Sequence, residues 1–282
     1  MPQRSDIPIE DFHEDIIGKV IRGRKLQLPA LASAAGISVE QLESLLDGEV
    51  DEEAIRAVAP QLDLDPNALV ISANKIWRPR DVDLTDGLAV FNTEWNDMRV
   101  NAFVVWDPKS KDAAIFDSGA DASDLIAFVE KNQLVVGSIY LTHTHGDHIA
   151  DLPRLIETFP GATTYVHQLE RSKIRNIDAE TIDHGHIGAI GELALLALHT
   201  HGHSKGGTTY LITGLERPIA IVGDALFAGS MGGGQVSFSD ALANNREKIL
   251  TLPDDTIVCP GHGPLSSIAE EKAHNPFFPE LK

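Results

Sequence analysis

Along the first part of the chain, apolar positions recur at helical spacing. From Leu28 to Leu46 the pattern predicts one helix, a glycine turn at Gly36, an N-cap at Ser38, and a second helix with apolar positions Val39, Leu42, Leu45 and Leu46. A third helix around residues 52–62 and a fourth beginning near Asn67 complete a small bundle. The character changes at Trp77-Arg78-Pro79-Arg80, which places a domain boundary there: residues 1–80 form an N-terminal helical bundle and 81–282 a second domain. From Leu88 onward, short β-rich runs alternate with helix-length segments. Strands are expected over 99–106 and 113–117, joined by the turn Asp107-Pro108-Lys109-Ser110, and then over 138–142, 163–166, 193–198, 208–212, 219–222 and 256–258. Helices are expected over 122–131, 149–158, 239–252 and 267–273, so this domain reads as layered α/β.

Charge narrows the partners. The net charge of −19 opposes long polyanions, so nucleic acid and anionic membrane surfaces are not expected to bind. The segment 28–46 resembles the Cro/repressor type of helix-turn-helix, whose second helix reads DNA. Here that helix carries Glu40, Glu43 and Asp47 and no Lys or Arg, and residues 1–80 hold 9 Lys+Arg against 14 Asp+Glu. A packing or dimerisation role, giving a homo-oligomer through the bundle, is the expectation in place of DNA binding. The remaining 202 residues hold 14 Lys+Arg against 28 Asp+Glu, which also argues against a nucleic-acid groove. With 43% hydrophobic and 23% charged residues, the composition is that of a soluble globular protein. No apolar run approaches the roughly 20 residues of a membrane span. The first fifteen residues are acidic and lack the pattern of a secretion leader, and the single Cys259 rules out an intrachain disulfide; a cytoplasmic protein is expected.

The chemistry concentrates in Thr142-His143-Thr144-His145-Gly146-Asp147-His148, directly after a buried strand. Three imidazoles and a carboxylate in so short a stretch each need a hydrogen-bond partner or a metal. Alternation along an extended backbone turns His143 and His145 to one side, and the turn at Gly146 carries Asp147 and His148 to a second position. Three later apolar strands end in a similar way: in Leu198-His199-Thr200-His201-Gly202-His203-Ser204, in Ile221-Val222-Gly223-Asp224, and in Val258-Cys259-Pro260-Gly261-His262-Gly263-Pro264. Four strand ends supplying nitrogen and oxygen donors point to a metal centre at the C-terminal edge of a sheet.

Together with Phe116-Asp117-Ser118-Gly119, these segments resemble the five signature segments of the metallo-β-lactamase superfamily, over roughly residues 88–275. The resemblance implies an αββα sandwich with the site at the edge between its sheets. It also implies His143, His145 and His203 on one metal, Asp147, His148 and His262 on a second, Asp224 bridging, and Asp117 as a structural aspartate. Two divalent cations are implied; the donor set suits zinc, iron or manganese, with zinc taken first. Within the superfamily the segments around His203, Asp224 and His262 look like those of hydroxyacylglutathione hydrolase (glyoxalase II). Departures are His201 where relatives carry proline and Gly229-Ser230-Met231-Gly232-Gly233-Gly234 where they carry Cys-Gly-Arg. The chain also ends eighteen residues after Pro264, without the C-terminal helices that bind glutathione in glyoxalase II.

The function expected is therefore a dinuclear metal-dependent hydrolase in which a metal-bound hydroxide attacks a small thioester, lactone or related ester, with Asp147 and Asp224 as catalytic carboxylates. Two alternatives stand beside it. One is a single-iron oxygenase resembling persulfide dioxygenase, on His143, His203 and Asp224. The other is a ligand-sensing regulator whose N-terminal bundle binds DNA. Of the other histidines, His201 is expected to face outward beside His203, and His167 could reach the rim of the pocket. His184 and His186 are expected in solvent, and Cys259 is expected to pack as a small apolar residue.

Overall fold

The computed structural model describes residues 7–82 and 86–282; residues 1–6, the head of the acidic start, and 83–85, just past the expected domain boundary, lie outside the described residues. The chain opens with five short helices: α1 (His13–Arg24), α2 (Leu28–Ala35), α3 (Val39–Leu46), α4 (Glu52–Val58) and α5 (Pro66–Ala73). Local chemistry sets their ends. Gly36 terminates α2 with φ at 71°, and the Ser38 hydroxyl accepts the Gln41 N–H to start α3. The helix expected over 52–62 is α only to Val58; Pro60 lies in the 3₁₀ turn Ala59–Leu62 that follows. Helix α1 was not expected. Its Ile16, Ile17, Val20 and Ile21 do follow helical spacing, with Glu14 and Asp15 in the first turn and Arg22 and Arg24 in the last.

The rest is two six-stranded sheets. The first runs in chain order through β1 (Leu88–Trp95), β2 (Met98–Trp106), β3 (Asp112–Phe116), β4 (Val135–Tyr140), β5 (Thr163–His167) and β6 (Glu180–Ile182). Strands β1 to β3 are antiparallel and β3 to β6 parallel. The second sheet has the order β12-β11-β10-β9-β8-β7, comprising β7 (Ile187–Ile190), β8 (Leu193–His199), β9 (Thr208–Thr213), β10 (Ile219–Gly223), β11 (Ile257–Pro260) and β12 (Ser266–Ser267). Here only β10 and β11 run parallel. The very short β6 and β12, and β7 with its internal Gly188, lack the alternating signal that exposes a strand in sequence.

Helices α6 (Ser123–Lys131), α7 (Gly146–Ile149), α8 (Leu152–Thr158), α9 (Phe238–Asn244) and α10 (Ile268–His274) complete the architecture. The helix expected over 149–158 is two pieces, and that over 239–252 passes from α9 into a π-type turn at Asn245–Ile249. Phe103, Phe116, Tyr140, Tyr210, Ile221 and Cys259 fill the space between the sheets. Ala102, Val104, Ile139, Leu125 and Leu155 join the first sheet to α6 and α8. Both faces of β2 and β10 are covered, which is why these strands read as nearly unbroken apolar runs. Against the other face of the second sheet, Ala220, Val222 and Val258 share one cluster with Phe238 and Ile268 and with Ile16, Ile17, Leu42, Leu45 and Ile55 of the N-terminal helices. The domain is thus an αββα sandwich with the N-terminal helices packed on its second helical layer. No helix among the described residues is long and apolar enough to cross a membrane.

Candidate metal centre

Strands β3, β4 and β5 of the first sheet point the same way, as do β8, β10 and β11 of the second, so their C-terminal ends meet along one edge. The loops leaving β4, β8, β10 and β11 deliver all seven expected ligands there. Donor atoms of His143, His145, His203 and Asp224 lie within 4.8 Å of one another, and those of Asp147, His148 and His262 form a second such group. Asp224 lies between the groups: Oδ2 is 3.2 Å from His203 Nε2 and 3.4 Å from His262 Nε2, and Oδ1 is 3.3 Å from His148 Nε2.

Four of the five imidazoles are oriented from behind. Asp117, with φ at 57°, accepts the Thr142 backbone N–H and the Thr142 hydroxyl on separate oxygens, each at 2.7 Å. The oxygen facing that hydroxyl also accepts His148 Nδ1–H at 2.7 Å. Because the Thr142 hydroxyl proton is spent on Asp117, its oxygen accepts from His143 Nδ1 at 3.1 Å. The Arg99 carbonyl accepts from His262 Nδ1 at 2.6 Å and the Gly233 carbonyl from His203 Nδ1 at 3.0 Å. Four rings thereby turn an Nε2 lone pair to the centre, the tautomer a cation needs. His145 instead presents Nδ1, 3.0 Å from His203 Nε2.

Three facts make this donor set fit metal. His143 Nε2, His148 Nε2 and Asp224 Oδ1 are buried without any hydrogen-bond partner, a condition that costs free energy unless something else meets them. A side chain at Gly261 would collide with Asp224 and His148, so this residue leaves the centre open. The electrostatics call for cations as well. Burial opposes ionisation of Asp224, yet His262, His148 and His203 hold its carboxyl well below the usual range. Burial likewise opposes charge on His148, but Asp224 and Asp117 lift it to about 10, and Asp224 with Asp147 lifts His262 to about 11. His143, which burial and its neighbour His148 hold well below 6.5, stays neutral. Positive charge is thus required beside these carboxylates, from protons or from the divalent cations that displace them.

The remaining histidines lie outside this cage. His201 turns to Asn244 and Asp240, with Nε2 3.4 Å from the Asp240 carboxylate. His167, Asp183 and His199 form a third cluster. His167 Nδ1, however, accepts the Leu169 N–H at 3.2 Å, which leaves its proton on Nε2, facing Asp183 at 3.2 Å. That tautomer offers a cation no lone pair. His184 is exposed and His186 half-buried. Cys259 is fully buried, and burial alone pushes its thiol up.

Several residues at the site carried no sequence signal. Buried Asn101 on β2 donates from its side chain to the carbonyls of Pro260 and Gly263, both at 2.9 Å, and so fixes the His262 loop. Trp95 lies over Gly146, and Phe227 stands edge-on to His262 with ring centroids 5.6 Å apart. The segment before α1 reaches the same edge. Glu10 lies over Gly263, and its carboxyl is raised by burial against the pull of His262, with Asp11 and Asp224 also raising it. Lys19 pairs with Asp11, donates to the Met231 carbonyl at 2.9 Å, and holds its ammonium 5.0 Å from the Phe227 ring centroid. None of these contacts is local in sequence, so only an unusually buried Asn or Lys could have marked them.

Comparison with known proteins gives a consistent set of likenesses. The family model described as the metallo-β-lactamase superfamily matches residues 95–262. Hydroxyacylglutathione hydrolase GloC of Haemophilus influenzae is 32% identical over 198 residues, covering 63% of this chain and 92% of that protein. Among solved structures, ETHE1 from Myxococcus xanthus is similar at a TM-score of 0.56 and 26% identity, over 67% of this chain and 83% of that one. TTHA1623, solved in a di-iron-bound form, is similar at a TM-score of 0.54 and 25% identity, over 67% of this chain and all of that one.

Proposed function

Because the chain belongs to the metallo-β-lactamase superfamily, whose members are metal-dependent hydrolases, we propose that it is a dinuclear hydrolase acting on a small thioester, lactone or related ester. The observation that carries this reading is the complete pair of donor groups on either side of Asp224. On this reading His143, His145 and His203 would hold one cation and Asp147, His148 and His262 the other, with Asp224 between the two groups. Zinc is the first choice; the di-iron form of TTHA1623 supports iron as the second.

Two such cations supply Lewis acidity for a carbonyl oxygen and acidify water at neutral pH. The chain does the rest. Asp117, Thr142 and the carbonyls of Arg99 and Gly233 keep the rings in the binding tautomer. Asp147, with Oδ2 3.2 Å from His262 Nε2, would be the carboxylate that orients water and takes its proton. Trp95 over Gly146 and Phe227 beside His262 would give the acyl portion of a small-molecule substrate an apolar boundary. GloC, by its name, acts on hydroxyacylglutathione, which keeps a thioester foremost among the substrates proposed.

The likeness to ETHE1 supports a second reading, a single-iron oxygenase acting on a persulfide through His143, His203 and Asp224, all members of one donor group. For residues 1–80 we propose a packing role at a cytoplasmic enzyme, with self-association through the bundle in place of DNA binding; Glu40, Glu43 and Asp47 are all exposed, which supports this. Metal analysis combined with thioester, lactone and persulfide assays tests the main reading. Close to two transition-metal ions per chain and hydrolysis abolished by chelation are expected. At most one ion per chain with full hydrolytic activity would refute the dinuclear centre.

A further inference from the structure

Lys19, Arg22, Arg24 and Lys25 fall within one short stretch at the end of α1, where the negative end of the helix dipole favours cations. Lys25 closes the helix with φ at 54°, its N–H turned back to the carbonyls of Arg22 and Ile21. Gly23 brings this end of the helix hard against another element, since a side chain there would overlap the Phe238 ring. Facing the four cations across the resulting gap is the segment from Gly233 to Ser237. The gap is a cleft of about 650 Å³, within the roughly 300–1,000 Å³ range of small-molecule sites.

The sign of this cleft is opposite to that of the molecule. The chain has 42 Asp+Glu against 23 Lys+Arg, yet the cleft wall holds four cations and no carboxylate. Two of the four are neutralised from outside the wall, Lys19 by Asp11 and Arg24 by Asp63, the latter at 2.7 Å. Arg22 and Lys25 are exposed, and neither is among the ion pairs formed by the described residues. Val236, 47% exposed, adds an apolar edge. We propose that this cleft binds the anionic group, phosphate or carboxylate, of a small molecule, with Arg22 and Lys25 as its principal contacts. The cleft abuts the metal centre through one stretch of backbone. The Gly233 carbonyl in its wall orients His203, and the Met231 carbonyl just before it is held by Lys19. An occupant therefore braces the loop that positions a metal ligand, whether it is the tail of the substrate or a separate effector.

The test follows the melting temperature of the metal-loaded full chain as inorganic phosphate is added, with metal content measured in parallel. This readout does not depend on which reaction the centre performs. Wild type is expected to gain a saturable rise in Tm that the double variant Arg22→Glu/Lys25→Glu loses at unchanged metal content. The milder Arg22→Gln and Lys25→Gln variants, each expected to weaken the response, guard against misfolding of the double variant. A phosphate response of wild-type size in all these variants would place the anion on the metals and overturn the proposal. The source of the anion is then read from a carboxylated thioester and its neutral amide analogue. If the substrate carries it, KM for the carboxylated compound alone rises about tenfold or more in the double variant, as for loss of two charge-assisted hydrogen bonds. If an effector carries it, phosphate alters turnover of the neutral compound in wild type and not in the variant.

Discussion

Replacing Asp147 by alanine separates the hydrolase from the oxygenase. The Asp147 carboxylate lies 3.2 Å from His262 Nε2 and 3.5 Å from His148 Nε2, so it belongs wholly to the second donor group. Its loss leaves that group two neutral imidazoles and a share of Asp224. A unit charge removed at about 4 Å costs up to about 4 kcal/mol at an effective dielectric near 20. Solvent and neighbouring carboxylates take up part of this, so the second cation is weakened by roughly a hundredfold or more. Hydrolysis is expected to fall by a similar factor, the size found on removing one strong oxyanion partner, about 10²–10³, and metal content should drop from two ions toward one. In a single-iron oxygenase on His143, His203 and Asp224, the same substitution removes no ligand. Purified variant and wild type are compared by metal analysis, initial rates with a thioester, and oxygen uptake with a persulfide. Iron retained at one per chain, with near-normal oxygen uptake, would refute the dinuclear mechanism and establish the other.

Two further outcomes are expected. Burial pushes the Glu271 carboxyl from 4.5 up to about 7. Its neutral form therefore stabilises the fold fully below pH 4.5, and this contribution is lost as the pH rises through about 7. Glu271→Gln keeps an acceptor for the Gly229 N–H but removes the titration, so melts should show the variant gaining on wild type by roughly 3 kcal/mol across that window; parallel pH profiles would refute this. The full chain is also expected not to shift duplex DNA in a salt-sensitive, sequence-specific manner, because the exposed face of α3 is acidic; a specific shift would show that residues 1–80 do bind it.

The clustering of His and Asp donors was legible because its information is local. His143, His145, Asp147 and His148 occupy one turn after one strand, and the other three ligands each follow an apolar run of their own. The supporting groups were not legible to the same degree. Asp117 could be assigned through resemblance, but the Arg99 and Gly233 carbonyls act as backbone atoms, which any residue type would supply. Asn101 reaches the His262 loop from a strand some 160 positions away, and nothing in its own neighbourhood announces that. Most other strands and helices were legible from their own apolar pattern. Missed were α1 and β1 as well as the short β6, β7 and β12, and the helices at Pro60 and Asn245 are interrupted; these elements are held by tertiary contacts that outweigh local preference.

The N-terminal helices pose a different case: the pattern of α2 to α5 was clear, α1 was not expected, and the bearing of the bundle on the chemistry was not legible. Residues 1–80 lie before the matched region at 95–262. Yet Ile16, Ile17 and Val20 of α1 share a cluster with Leu226, Met231 and Phe238, residues of the segment that follows Asp224. That segment is therefore clasped between α1 and the metal centre, with Lys19 on the Met231 carbonyl and the Gly233 carbonyl on His203. The segment Gly229-Ser230-Met231-Gly232-Gly233-Gly234 is rich in glycine, and Gly232 could not be anything larger because a side chain there would run into the Asp224 backbone. A loop so poor in side chains makes few contacts of its own, so its conformation must be imposed from outside. Helix α1 meets that loop through Lys19 on the Met231 carbonyl, two residues before the Gly233 carbonyl that His203 Nδ1 faces.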